Sequence, residues 1–484
     1  MSLKNTMRAL EVTFGNPISR RILKHMISEC PHGYRSRLEH ALAALAKEAE
    51  PKGSCRVDYY FLDLLIHIGS LITGGSIDEF IEYTKDPPVR RGLALVLRGI
   101  AEYGVTVPQK LPAPFLIVWN FTNMCNLRCE HCYQKADKPL PDELTLNEKI
   151  NVIEQLDKAN VAAIAFSGGE PTIHPHFLRV AAEAASRGMY TSVATNGVVI
   201  TEDYAFKLKE AGIRYVEISL DSIDPKKHDS FRGVKGAWEK AVRGIKASVK
   251  AGLTTGIATT LTKMNIDEVE DIVRFGEDLG VKRVIFFNFI PVGRGEDILD
   301  WDLTPEEREE VLKRIYNIAI KSSIEVAATA PQLARVALQL SSGEVVAPTH
   351  FAMRADKGLA SLADFIGGCG AGRIYAAIQP NGDVTPCVFM PIIVGSLREE
   401  SFESIWKNTP LFNKLKNREL LKEPCKTCAY KYVCGGCRAR AYAYTRDPLG
   451  PDPGCIIAKN VYYEVIEEVK RGVIAKVGKK EVII

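Results

Sequence analysis

From residue 113 to about residue 300 the chain alternates short apolar runs with helical stretches, and this alternation limits its fold more than any other feature. "FLIVWNF", "VAAIAF", "TSVATN", "YVEISL", "TTGIATTL" and "RVIFFNFI" read as strands. Between them lie amphipathic stretches such as "AWEKAVRGIKASVKAG" and "LTLNEKINVIEQLDKAN", the latter with Thr145 and Glu148 in capping-box register. Six strand–helix repeats predict an α/β fold with a parallel sheet, open or curled toward a barrel. Such folds carry their functional groups at the carboxyl ends of the strands. The loops with special chemistry fall there: "CNLRCEHC" after the first strand, "SGGEP" after the second, "TNG" after the third, "SLDS" at the fourth and "PVGRG" after the sixth.

The flanks differ in kind. Residues 1–107 read as a helical domain, with "RSRLEHALAALAKEAE" and "DPPVRRGLALVLRGIAEYG" at helical spacing, the latter opened by prolines. Proline-rich "TVPQKLPAPF" links it to the repeats, which span 113–330. Residues 365–460 break into short elements, including a hairpin turning at Asn381-Gly382. A helix and tail over 456–484 close the chain.

Twelve cysteines are unevenly spread. Cys30 and Cys55 stand apart and read as small buried hydrophobes. Cys125, Cys129 and Cys132 form C-x3-C-x2-C, three thiolates with no fourth nearby. Structural zinc sites are closed by four ligands, so three point to a site with an open position. A [4Fe–4S] cluster held by these three leaves one iron free for a small molecule.

C-x3-C-x2-C after the first strand, with "GGEP" after the second, resembles the radical S-adenosylmethionine superfamily over about residues 113–300. That resemblance implies a partial (βα)6 barrel in which the open iron chelates S-adenosylmethionine. Reductive cleavage of the sulfonium would then yield a 5′-deoxyadenosyl radical that removes hydrogen from substrate. It implies an external electron donor of ferredoxin or flavodoxin type. It also assigns ligand contacts to His131, Ser167, Gly168, Gly169, Glu170, Asn196, Ser219, Asp221 and Arg232. Carbonyls of "SGGE" suit the methionine ammonium, with Glu170 adding charge. Asn196, Ser219 and Asp221 suit ribose hydroxyls, His131 an adenine contact through its backbone, and Arg232 a carboxylate. Ordinary readings compete: a turn for "SGGEP", a strand end for Asp221, a surface ion pair for Arg232.

Cys369, Cys387, Cys425, Cys428, Cys434, Cys437 and Cys455 make the second group. "CKTCAYKYVCGGC" alone would suggest zinc. With Cys369 and "GDVTPC" upstream, the set resembles the SPASM extension of the same superfamily, departing by C-x2-C where C-x3-C is usual. The resemblance implies two auxiliary iron–sulfur clusters. Cys369, Cys387 and Cys437 would hold the first, one ligand short, and Cys425, Cys428, Cys434 and Cys455 the second.

A net charge of +4 argues against a nucleic-acid partner. "MSLKNTMRALEV" has no apolar signal core, so a cytoplasmic enzyme is expected. "YYFLDLLIHIGSLI", Tyr59 to Ile72, contains Asp63 and His67 and is too short to span a bilayer. The greasy N-terminal helices, with basic residues nearby, predict a groove roofed by residues 1–107 and a peripheral membrane contact. Few glutamines and many Ile, Val, Lys and Glu give the chain an archaeal style. Radical enzymes of archaea join lipid hydrocarbon chains at unactivated carbons, so the resemblance implies, with these helices, carbon–carbon coupling of a long-chain archaeal lipid as the expected reaction. The alternatives are a peptide- or protein-modifying maturase and an iron–sulfur electron-transfer protein.

Overall fold

The computed structural model describes residues 10–73, 76–343, 346–349, 352–354 and 362–471. All six anticipated strands are present: β1 (Leu116–Asn120), β2 (Ala163–Ser167), β3 (Tyr190–Thr195), β4 (Tyr215–Ser219), β5 (Thr254–Leu261) and β6 (Arg283–Asn288). Each pairs in parallel with the next, and β7 (Glu325–Ala328) extends the series along β6. Ile117, Ile164, Val193, Val216, Ile257 and Val284 are fully buried between the sheet and its helices. From β2 to β4 these positions alternate with half-buried ones on the opposite, less covered face. The helix Leu146–Lys158 opens on the predicted capping box of Thr145 and Glu148.

After β8 (Val346–Thr349) and β9 (Ala352–Arg354), which pair only with each other, the chain returns to the main sheet. β10 (Tyr375–Ile378) runs parallel to β1, and β11 (Asp383–Thr385) and β12 (Gly395–Ser396) follow antiparallel. The full order is β12-β11-β10-β1-β2-β3-β4-β5-β6-β7. The cysteine-rich segment thus shares the sheet, and Ala376, Ile378 and Val384 enter the main core. Its hairpin turns at Asn381-Gly382, as the sequence predicts. The helix Lys459–Lys470 follows the last cysteine, and residues 472–484 of the expected tail lie outside the described residues.

The N-terminal helices Pro17–Met26, Arg37–Leu45, Cys55–Thr73, Ile77–Thr84 and Pro87–Tyr103 pack mainly around their own core. They dock at the amino ends of the strands. Buried Arg91 donates to the Val161 and Arg187 carbonyls, both 2.9 Å away, just before β2 and β3, and pairs with Asp157 at 2.8 Å. Asp86 pairs with Arg214, the residue before β4, at 2.7 Å. The cysteine loop lies on the opposite rim. No helix among the described residues is long and apolar enough to cross a membrane.

Candidate active site

β1 ends at Asn120 and delivers the loop carrying Cys125, Cys129 and Cys132. That loop has almost no secondary structure of its own, so its shape is imposed by neighbouring loops. From the β2 loop, Gly169 N donates to Thr122 O at 2.7 Å and Glu170 N to Met124 O at 2.8 Å. Beyond β4, the carbonyls of Phe231 and Arg232 accept from Glu130 N and Arg128 N at 3.0 and 3.1 Å. Beyond β6, Arg294 donates its backbone N–H to Cys132 O at 2.9 Å and its Nε to Cys129 O at 2.8 Å. Two glycines permit these approaches. A Cβ on Gly169 would stand 2.1 Å from Met124 O, and one on Gly293 2.4 Å from Cys132 O.

The three thiols open into a cleft of about 970 Å³ at the carboxyl rim. The cleft gathers Ser167, Gly168, Gly169, Asn196, Ser219, Arg232 and His131, placed there by four different strands. Glu170 and Asp221 are instead behind its wall, fully buried. Glu170 accepts from Thr172 N and Oγ1, Thr195 Oγ1 and Asn196 N at 2.5–3.1 Å, so its carboxylate ties the β2 loop to the end of β3. Asp221 accepts from Thr260 N at 2.9 Å and from Arg232 Nε at 2.6 Å. In this structure both carboxylates brace neighbouring loops. Every oxygen is already engaged within the protein.

Arg232 does not bind at the surface. It lies between Asp221 and Cys129, with Nη1 3.7 Å from the sulfur. Burial disfavours its charge, but Asp221 and Cys129 outweigh that and raise its pKa. The Asn196 side chain donates to Asn126 Oδ1 at 2.7 Å and accepts from Val198 N, binding the cysteine loop rather than standing free. The His131 ring stacks on Phe231 at 4.1 Å, and burial holds its pKa down at about 3.

Several cleft residues escaped the sequence reading. Glu217 points inward from β4, and burial pushes its carboxyl up to about 7 despite Arg283 and Tyr215. A carboxylate inside the apolar run "YVEISL" was the available signal. Tyr133, next to Cys132, and Phe389 meet edge to face at 4.8 Å on the wall shared with the C-terminal segment. Tyr133 Oη donates to Asn120 Oδ1 at 2.9 Å, and Asn120 donates to Gln379 Oε1 at 3.0 Å. Gln379 donates to Thr385 Oγ1, which donates to the Cys387 carbonyl at 3.2 Å. This chain joins the loop of the first three cysteines to the second cysteine group.

The cysteines of the second group lie in two places. Cys369, Cys387 and Cys437 share one buried cluster with Met390 and Ala439. Cys425, Cys428, Cys434 and Cys455 line a separate cleft of about 390 Å³.

The donor sets suit iron–sulfur clusters. Burial pushes Cys125, Cys387 and Cys455 up to about 12, so their thiolates need a bound cation. Leu127 N donates to Cys125 Sγ and Ala136 N to Cys132 Sγ at 3.5 and 3.4 Å, hydrogen bonds of the kind that tune cluster potentials. Around the second group, Arg373, Arg418 and Arg438 are fully buried, and each keeps a nitrogen without a partner. Buried cations of this sort call for nearby negative charge. Thiolate-ligated clusters supply it.

Comparisons with known proteins agree. A family model described as the radical SAM superfamily matches residues 119–276, and one for an iron–sulfur cluster-binding domain, SPASM, matches 369–429. The AdoMet-dependent heme synthase of Methanosarcina barkeri is 34% identical over 71% of this chain and 97% of its own length. The chain belongs to the radical SAM superfamily. Its SPASM region adds auxiliary iron–sulfur clusters to the [4Fe–4S] cluster and S-adenosylmethionine of that superfamily. The Fe-coproporphyrin III synthase of the same organism is 32% identical over 74% of the chain and 94% of itself. Among solved structures, Streptococcus suis SuiB bound to its precursor peptide SuiA has a TM-score of 0.62 at 15% identity, covering 87% of this chain and 92% of SuiB. This radical SAM enzyme shares the fold of SuiB.

Proposed function

We propose that this radical SAM/SPASM enzyme oxidises a side chain of an iron tetrapyrrole. The observation carrying the reading is the pair of Methanosarcina barkeri relatives named for haem and for Fe-coproporphyrin III, matched across nearly their whole length. The cleft chemistry suits it. Phe287, Phe289, Phe389 and Tyr133 offer aromatic faces to a flat ring, and Arg232 and Arg294 add positive charge for its carboxylates.

Cys125, Cys129 and Cys132 would hold a cluster whose chemistry is one-electron reduction of S-adenosylmethionine, and the seven C-terminal cysteines would hold clusters able to take up one electron from the oxidised substrate. This chain's residues do the positioning. The loops after β2, β4 and β6 hold Cys125, Cys129 and Cys132 in one shape. Ser219, Asn196 and the glycine loop line the place for the methionine and ribose. Arg232, anchored by Asp221, keeps positive charge beside Cys129. Tyr133 and Phe389, edge to face at 4.8 Å, form the cleft wall on the side of Cys387.

A second reading, peptide modification, rests on the likeness to SuiB with its precursor peptide. The lipid-coupling reading has lost its support. It needed residues 1–107 to roof the mouth, yet among the described residues none of that region lines the cleft, and its helices dock at the opposite rim. The deciding experiment incubates the reconstituted, reduced enzyme and S-adenosylmethionine separately with iron coproporphyrin, a peptide pool and lipid extract. The expected result is 5′-deoxyadenosine release coupled to an oxidised porphyrin. Coupled turnover of peptide with silence on porphyrin would overturn the reading in favour of the second.

A further inference from the structure

Cys30 and Cys55, expected to be isolated hydrophobes, come together in the N-terminal domain with His40. Their ligand atoms all lie within 4.8 Å of one another. The two sulfurs are 3.9 Å apart, and Cys30 Sγ is 3.5 Å from His40 Nδ1. A tetrahedral zinc ion with Zn–S of about 2.3 Å and Zn–N of about 2.0–2.1 Å separates two sulfurs by about 3.8 Å and a sulfur from a nitrogen by about 3.5 Å. A disulfide would need the sulfurs at about 2.05 Å. The spacing is that of metal ligands rather than of a covalent bond.

The surroundings are arranged for the same purpose. His40 Nε2 donates to the Glu50 carbonyl at 3.0 Å, which fixes the proton there and turns the Nδ1 lone pair toward the sulfurs. Metal-binding histidines commonly carry such a partner on the second nitrogen. The ring is itself held by stacking on Tyr34 at 4.6 Å. Cys55 stands at the first residue of the helix Cys55–Thr73. The turn before it is clamped by Arg37, which donates to Ser54 Oγ and O at 2.9 and 3.0 Å and pairs with Asp58 at 2.6 Å. Cys55 and His40 are buried, whereas Cys30 is partly open on the side where His32 lies, its ring 5.3 Å from that of His40.

We propose that Cys30, His40 and Cys55 hold a zinc ion as three protein ligands, its fourth position open to solvent beside partly exposed Cys30, separate from the iron–sulfur clusters. Two thiols and an imidazole, with Cys30 at metal-ligand spacing from both partners and all three ligand atoms within 4.8 Å, match zinc among the common metals. Binding releases the two thiol protons and changes no oxidation state. The ion ties the loop after the helix Pro17–Met26 and the start of Cys55–Thr73 to the helix Arg37–Leu45. It thereby pins two connections that have little regular structure.

The test uses the full-length protein, produced with zinc and reconstituted with iron. Elemental analysis should find about one zinc per chain, and zinc-edge X-ray absorption, which is blind to iron, should show two sulfur neighbours at about 2.3 Å and at least one nitrogen. The double variant C30S/C55S should lose at least about nine-tenths of that zinc with its iron content unchanged, as loss of two of three ligands requires. The variant H40N gives the same readout without touching a thiol. Alkylation of Cys30 in the wild type should require prior chelation. Zinc retained in both variants, a wild type without zinc, or a Cys30–Cys55 disulfide found by peptide mapping would overturn the proposal.

Discussion

At Gly169 the room for a methyl group is set by another loop's backbone. A Cβ there would meet the Met124 carbonyl at 2.1 Å, and a carbonyl cannot swing aside as a flexible side chain can. Gly169→Ala should therefore disorder the cysteine loop and remove about four irons per chain, the content of one cubane cluster. Iron analysis, together with loss of 5′-deoxyadenosine formation, checks this. Glu217 gives a prediction in pH. Burial lifts its carboxyl from about 4.5 to about 7, so the folded chain favours the protonated form. Stability from this group is complete below about pH 4.5 and is lost as pH rises to about 7, a change on the order of 3 kcal/mol. Glu217→Gln should abolish that loss, so in cluster-free protein its melting temperature should gain on wild type between pH 4.5 and 7. Melts of both proteins across that range decide it. The cysteines of this site were legible because their spacing is a local pattern. The partners of Glu170, Asp221 and Asn196 were not, because each is supplied by a different strand. A polar residue on the rim can face a ligand or brace a neighbouring loop, and only the packed loops distinguish the two.

Among the elements, the alternation of apolar runs and amphipathic helices located β1 to β6 because each strand is long enough to carry the signal. β7 has four residues, and "EVAA" is too short and too small in side chain to stand out. Nor could the sequence place β10, β11 and β12 on the edge of β1, since strand order depends on which surfaces meet after folding. The joint between the barrel and the cysteine-rich segment is a second case. Asp302, after β6, pairs with Arg308 at 2.7 Å and with Arg440 of the helix Arg438–Thr445 at 2.6 Å, all fully buried or nearly so. Burial opposes its charge, but Arg440 and Arg308 outweigh this and hold its carboxyl below the ordinary range. Asp302→Asn leaves two buried cations short of a counter-charge and should cost about 3–5 kcal/mol at pH 7. The sign in pH follows from the lowered value. The stabilisation is present above the unfolded value near pH 4 and disappears as pH falls through the folded one. The gap between wild type and Asp302→Asn in urea titrations should thus be full at pH 7 and shrink only below about pH 4.

Over the whole molecule, the parallel sheet separates two kinds of work. Its carboxyl rim carries the cysteine loop, the cleft and the link to the second cysteine group, while its amino rim receives the N-terminal helices. The composition of those helices suggested a hydrocarbon channel, but apolar residues at helical spacing serve equally to fill a domain's own core, and here they do. Which rim a flanking domain occupies is not written in its hydropathy. It is written in single buried contacts such as Arg91, whose guanidinium reaches Asp157 and the carbonyls of Val161 and Arg187 across the domain boundary. Arg91→Ala leaves the Val161 carbonyl without this donor inside the interface, while Asp157 and the Arg187 carbonyl keep Arg35, a loss of about 2 kcal/mol by analogy with other buried charged hydrogen bonds. Because the interface lies at the far end of the strands from the three cysteines, the variant should melt at a lower temperature. It should still form 5′-deoxyadenosine at the wild-type rate per cluster iron, at temperatures where it remains folded. A domain that roofed the cleft would behave differently, since loosening it would admit water and lower that rate in step with stability. Calorimetry and single-turnover assays on the same preparations separate the two outcomes. A fall in rate matching the fall in stability would move the N-terminal domain back to the mouth of the barrel.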